Sequence, residues 1–260
     1  MTIQNIIDEL LDKAIGRREV TVDTVKSGDA AREVKHIACC FMATAEVMEK
    51  ARAMGVDFII THEPTYYDHH DEIRDNHPIV AAKRQQVEES GITLWRYHDH
   101  IHYTEPDGIC EGVIDALGWR GHQQEMCWVL DEPMSARQMA ADIREKLGAG
   151  GVRVTGDLDT PLPMVAMMVG DPGFNGRMMD QIMIATQAAP CAFFCGEVCE
   201  WGVLEQVRDA AAFGMPMAAL TCGHLISEEM GMRLLANRLA EAHPDIQVDF
   251  IPTGEVYSYL

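Results

Sequence analysis

A chain of 260 residues, 47% hydrophobic and 24% charged, is long enough for one large core or two smaller lobes and too apolar to stay disordered. Its 41 acidic residues against 21 basic ones leave a formal net charge of −20. That balance excludes a phosphate-tracking nucleic-acid surface, which needs clustered Lys and Arg to displace counterions. The first twenty residues carry charges throughout and lack the apolar stretch and small-residue cleavage site of a secretory signal. No apolar run approaches the about 20 residues that span a bilayer. The expectation is a soluble cytoplasmic protein, with no membrane or nucleic-acid partner and its eight cysteines held as thiols.

From Lys35 onward, short apolar runs alternate with amphipathic stretches, the pattern of βαβ units and a mainly parallel sheet. HIACCF (36–41) reads as a buried strand, ATAEVMEKARAMG (43–55) as a helix closed by Gly55, and VDFIITH (56–62) as the next strand. PIVAAKRQQVEESG (78–91) has proline at its start and glycine just past its end, the asymmetry of a capped helix. Strand ITLWRYH (92–98) and a short helix near 107–117 follow. A second set comprises strand 126–130, helix 135–148, strands 152–156 and 163–170, helix 176–188, strand CAFFC (191–195), helix 201–214, strand 215–222, helix 227–243 and strand 246–251. With no long Gly/Ser linker or low-complexity tract, the fold class expected is α/β, built as two interlocked lobes. These are placed at roughly 1–122 and 123–222, with 223–260 packing back. The methionines at 164, 167, 168, 178, 179 and 183 fall at core-like positions. Cys191, Cys195 and Cys199 are spaced four apart without a CxxC pair; buried small hydrophobes are the plain reading and a structural metal cluster the alternative.

In parallel α/β sheets, ligands collect beyond the carboxyl ends of strands. Three polar clusters sit at such ends: His62 and Glu63 in THEP; His98, Asp99, His100 and His102 in YHDHIH; and His224 with Glu228 in GHLISEE. The first is not a metalloprotease HExxH signature, because the residue at the second histidine position is Tyr66. In the third, Ser227 reads as the N-cap of the last long helix, which sets Glu228 in the first turn and His224 in the loop before it. Taken singly, each cluster fits ordinary capping or a satisfied structural histidine. His36, His122 and His243 are read as structural, and His69, His70 and His77 as solvated loop residues. Convergence of three His/carboxylate clusters at the strand ends favours a metal site, and nitrogen and oxygen donors suit zinc, iron or manganese.

At these residues the chain resembles the NIF-three-like proteins (NGG-one-interacting factor three-like), a family also labelled GTP cyclohydrolase 1 type 2. The resemblance runs over nearly the whole chain. It is carried by residues 27–64 with Thr61-His62-Glu63-Pro64, by YHDHIH (97–102), by GEV (196–198) and by GHLISEE (223–229). It implies two α/β lobes with two divalent metal ions in the cleft between them, and self-association into hexameric rings. The implied ligands are His62, Glu63, His98, His102, His224 and Glu228. Two depart from the family pattern: Glu63 stands where a second histidine is usual, and His102 where an aspartate is usual. Four histidines and two carboxylates are thus retained, redistributed between motifs; loss of one metal in this branch is the alternative.

The function expected is that of a dinuclear metal-dependent hydrolase of a small molecule, with Glu63 and Glu228 as catalytic candidates. Glu63 is either a ligand or the base that takes a proton from water. The family label implies opening of the GTP imidazole ring. Yet no P-loop or Rossmann glycine pattern is present, and a charge of −20 gives no general attraction for a triphosphate, which leaves local cations such as Arg96 to supply it. The alternative is a non-catalytic metal-binding or regulatory assembly protein.

Overall fold

Ile3, Ile6, Ile7 and Leu10 recur at helical spacing and bury one face of helix α1 (Ile3–Leu11), whose N-terminus is closed by a reciprocal capping box between Thr2 and Asn5. This helix, the short strand β1 (Val25–Ser27), the one-turn helix α4 (Asp99–His102) and strand β5 (Gly121–Gln124) are additions to the elements expected from sequence. The computed structural model describes residues 1–73, 76–172 and 177–260.

The chain runs β2 (His36–Cys40), α2 (Ala45–Met54), β3 (Phe58–Thr61), α3 (Pro78–Ser90), β4 (Thr93–Arg96), α4, α5 (Gly108–Leu117), β5 and β6 (Cys127–Met134). It continues with α6 (Ala136–Leu147), β7 (Arg153–Gly156), β8 (Leu162–Met168), α7 (Arg177–Ala185) and β9 (Cys191–Cys195), then α8 (Glu205–Ala212), β10 (Met217–Thr221), α9 (His224–Ala242) and β11 (Gln247–Phe250). The boundaries follow local chemistry. Thr44 and Ser135 accept amide protons at the starts of α2 and α6, and Gly55, Gly91 and Gly148 end α2, α3 and α6 in the left-handed conformation. Gly176, expected to open the helix now seen as α7, lies outside the described residues. The stretch expected as one helix from 201 begins as a π-helical turn (Glu200–Leu204) that leads into α8.

Two units are distinguished. The first comprises Met1–Gly112 and Gly231–Gly254, the second Val113–Met230 and Glu255–Leu260. The first unit's sheet has the order β1-β4-β3-β2-β11; all its pairs are parallel except β1 with β4. Strands β2, β3 and β4 are buried along their whole length, as expected for unbroken apolar runs covered on both faces. The second unit's sheet, β5-β6-β8-β9-β10-β7, is mixed: β8, β9 and β10 are parallel at its centre, and antiparallel partners flank them on both sides. Met168 and Met179 are buried in this unit's core, with Met164, Met178 and Met183 packed against it, so these methionines are core fillers. Cys39, Cys127, Cys191, Cys195, Cys199 and Cys222 stand outside any disulfide. Cys191 and Cys195 lie inside β9, and burial pushes the Cys195 thiol up to about 12, so the plain reading of these residues holds. No helix among the described residues is long and apolar enough to cross a membrane.

Candidate metal centre

Parallel pairing of β3 with β4 sets Thr61 opposite Arg96. The residues that follow, His62–Glu63 and Tyr97–His98, therefore leave the sheet side by side at its carboxyl edge. Helix α4 then turns back and brings His102 to the same place. The rings of His62 and His98 stack at 4.7 Å between centroids, and His102 meets both edge-on at 5.1 and 5.3 Å. The candidate ligand atoms of His62, His98 and His102 all lie within 4.8 Å of one another. Glu63 faces this cluster, with Oε1 4.0 Å from His62 Nε2 and 3.7 Å from His98 Nε2.

Each imidazole is held through Nδ1. His62 Nδ1 lies 3.1 Å from the Tyr97 carbonyl oxygen, His98 Nδ1 3.0 Å from Asp99 Oδ1, and His102 Nδ1 2.9 Å from Asp107 Oδ2. A carbonyl or a carboxylate only accepts, so Nδ1 carries the proton in each ring and Nε2 carries the lone pair. That is the arrangement of a metal-ligating histidine oriented by a carboxylate or carbonyl behind it. The Asp99 carboxyl, which burial alone would raise, is instead held down at about 2 by hydrogen bonds from His98, Thr21 and the Val22 amide. His98 is lowered to about 4, first by burial and then by the neighbouring His62, so it is a neutral ring at ordinary pH.

His100, in the middle of the same segment, is different. The Arg18 amide donates to its Nε2 at 3.0 Å, and its Nδ1 donates to Asp23 Oδ2 at 2.7 Å, so both nitrogens are occupied by the protein. Asp23 also accepts the backbone amides of His98, Asp99 and His100 at 2.7, 2.9 and 2.8 Å. One buried carboxylate thus clamps the turn that presents His98 and starts α4.

Arg96, considered above as a cation for an anionic substrate, is fully buried and serves the scaffold. Its Nε donates to the His62 carbonyl at 3.0 Å, and its guanidinium lies 3.7 Å from Glu63 Oε2 and 3.9 Å from Asp71 Oδ2. Its charge is spent on holding Glu63 and the 69–71 loop, and it faces no solvent.

In the second unit the third cluster takes a form other than the expected one. Helix α9 begins at His224, not after Ser227. The Gly223 carbonyl accepts the Ser227 amide at 3.1 Å, and Ser227 Oγ donates to the His224 carbonyl at 2.7 Å while accepting the Gly170 amide at 2.9 Å. Ser227 is fully buried in that polar contact, which tertiary structure supplies and the capping pattern does not. His224 and Glu228 are consequently one helical turn apart on one face, with Nε2 and Oε2 3.1 Å apart. His224 Nδ1 is 3.1 Å from Glu197 Oε2, so this fourth imidazole is also held from behind by an acceptor. Gly170, at φ +63°, lies so close that a Cβ there would stand 2.3 Å from Glu228 Oε1 and 3.1 Å from His224 Nε2.

The other histidines serve elsewhere. His36 and His243 pair with Asp249 and Glu9 at 2.7 and 2.9 Å, and His122 is exposed on β5. His77, read as a loop residue, caps α3. His69 and His70 are exposed as expected, but the His69 ring meets His98 edge-on at 5.7 Å. Sequence reasoning did not nominate Asp23, Asp99, Asp107 or Glu197 as supports. His98-Asp99 and His102 with Asp107 were legible as local pairs, whereas Asp23 is 77 residues from His100 and gave no local signal.

The profile of the Duf34/NIF3 (NGG1p interacting factor 3) family matches residues 2–255. No curated protein matches the chain. Among solved structures, Staphylococcus aureus protein SA1388 is similar with a TM-score of 0.77 at 16% identity, over 100% of this chain and 99% of that one. A Bacillus cereus protein related to NIF3 follows with a TM-score of 0.76 at 14% identity, over 100% and 99% of the two chains. Reduced HcgD from Methanocaldococcus jannaschii gives 0.71 at 15% identity, over 96% and 97%. At these identities the likeness is one of fold, and the family profile supplies the rest: the chain belongs to the Duf34/NIF3 family.

Proposed function

We propose that this protein is a metal-dependent hydrolase of a small molecule, holding two divalent ions, zinc, iron or manganese, on His62, Glu63, His98, His102, His224 and Glu228. The observation that carries the reading is that all four of these imidazoles have Nδ1 against an acceptor in their own unit: Tyr97 O, Asp99, Asp107 and Glu197. Metal-ligating histidines almost always have such an acceptor behind the ring. Bound divalent ions supply Lewis acidity. The chain's own groups do the rest. Glu63, compensated by Arg96 at the edge of the imidazole cluster, serves either as a ligand or as the base that accepts a proton from water, and Glu228 supplies carboxylate oxygens beside His224. Neutral His98 binds without first losing a proton.

The cytoplasm is the proposed compartment, supported by thiols such as Cys39, Cys195 and Cys222 held outside disulfides, and self-association into rings is proposed from family membership. The test is a screen of metal-loaded protein against nucleotides, GTP included, and phosphoesters. Turnover that is lost in Glu228→Ala with the fold intact supports the hydrolase. Stoichiometric metal without turnover of any of them replaces it with a metal-binding or regulatory role.

A further inference from the structure

After β11 the chain pins Thr253 to the backbone of Met42, turns at Gly254 with φ +86°, and continues as residues 255–260 outside helix and strand. This segment groups with the second unit, and its anchor is specific. The Tyr259 ring packs closely against two consecutive glycines: a Cβ on Gly150 would stand 2.2 Å from Tyr259 Cε2, and one on Gly151 2.7 Å from Cε1. The Gly150 amide donates to Glu255 Oε2 at 3.0 Å, and the Tyr259 hydroxyl donates to Glu255 Oε1. Tyr259 is 54% exposed, so apolar burial contributes little, and close approach with two charge-assisted hydrogen bonds does the holding.

Between the two anchor residues the segment passes Gly223, where the nearest atom to a built Cβ is Tyr257 Cε2 at 3.7 Å. Gly223 sits at φ +95°, and its carbonyl accepts the Ser227 amide that opens α9. It joins Cys222 to His224 directly. Whatever steadies Gly223 therefore steadies the first turn of the helix that carries His224 and Glu228.

We propose that residues 255–260 form a strap that positions the His224–Glu228 turn, with Glu255 and Tyr259 as its anchor on Gly150–Gly151 and Tyr257 as the positioning residue against Gly223. This inference rests on the reading of His224 and Glu228 as metal donors. A strap of this kind makes metal affinity sensitive to residues that touch no metal.

The test compares Co2+ titration, followed by the visible spectrum of the bound ion, in the full chain and in Gly150→Ala, Tyr257→Ala and Tyr257→Phe. Gly150→Ala evicts the Tyr259 ring without altering the strap. Tyr257→Ala removes an exposed ring and leaves the fold unburdened. The expected result is about tenfold weaker Co2+ binding with an altered spectrum in the first two, and wild-type behaviour in Tyr257→Phe, which keeps the ring. Unchanged affinity and spectrum in both Gly150→Ala and Tyr257→Ala overturn the strap. If the full chain binds no Co2+, the hydrolase reading fails, and the strap is judged by histidine-labelled NMR. Movement of the His224 ring signals in Gly150→Ala, with those of His62 unmoved, supports it, and no movement overturns it.

Discussion

His98 presents Nδ1 to Asp99 Oδ1 at 3.0 Å and Nε2 toward Glu63 Oε1 at 3.7 Å, so a single ring is held from behind by one carboxylate and faces another. Asp99 in turn takes hydrogen bonds from Thr21 Oγ1 at 2.9 Å and the Val22 amide at 3.3 Å. Removing Asp99 leaves the ring in place but unoriented. Asp99→Ala is expected to weaken zinc binding about 10- to 100-fold in a competition titration, with an unchanged far-UV circular dichroism spectrum. Unaltered affinity would mean that the His98–Asp99 pair is purely structural.

Asp23 supports the same segment at one remove, through three backbone amides and the His100 ring. Its substitution therefore carries a folding cost as well. Asp23→Ala leaves three amides and a buried imidazole short of their acceptor, and a loss of about 3 kcal/mol in urea denaturation is expected, along with weaker metal binding. Asp23→Asn keeps one acceptor oxygen and is expected to lose less.

Gly170 tests the second unit's donors independently. An alanine there sits at φ +63°, which costs about 1 kcal/mol, and its Cβ drives into the Glu228 carboxylate. Gly170→Ala is expected to fold, with a small drop in melting temperature, and to lose metal affinity while the His62, His98 and His102 ring signals in NMR stay put. Displacement of those three sets of signals would contradict the assignment of Gly170 to the Glu228 side.

Lys83 gives a pH signature unrelated to the metal. Burial lowers its pKa to about 8, and its ammonium donates to the Ala43 carbonyl. A lysine depressed from 10.5 binds fewer protons folded than unfolded between pH 8 and 10.5, so stability rises with pH across that window, and the penalty stands in full below about pH 8. Relative to Lys83→Met, the native chain is expected to gain about 2 kcal/mol on going from pH 7 to pH 10.5. Parallel pH profiles for the two proteins would show that Lys83 is not desolvated.

Strands β3, β4 and β10, which lead toward His62, His98 and His224, were legible because short apolar runs suit strands buried on both faces. The start of α9 was not. Ser227 matches a capping pattern, but its hydroxyl is committed to Gly170 and to the His224 carbonyl, and a partner 57 residues away is invisible to local spacing. Arg96 shows the same limit: its residue type allowed an anion-binding role, and only its complete burial beside Glu63 and Asp71 shows what the charge is for. His100 and His102 look equivalent in YHDHIH, and they separate only because the Arg18 amide occupies one nitrogen of the first.

Metal binding by the four oriented imidazoles and two carboxylates underlies the proposed function. It is tested most directly by elemental analysis of the purified chain after loading with excess zinc, iron or manganese and removal of loosely bound ions. Two ions per chain are expected, falling when His62 is replaced by alanine in a protein that remains folded. Fewer than about one ion per chain, or a content unaffected by His62→Ala, would contradict it.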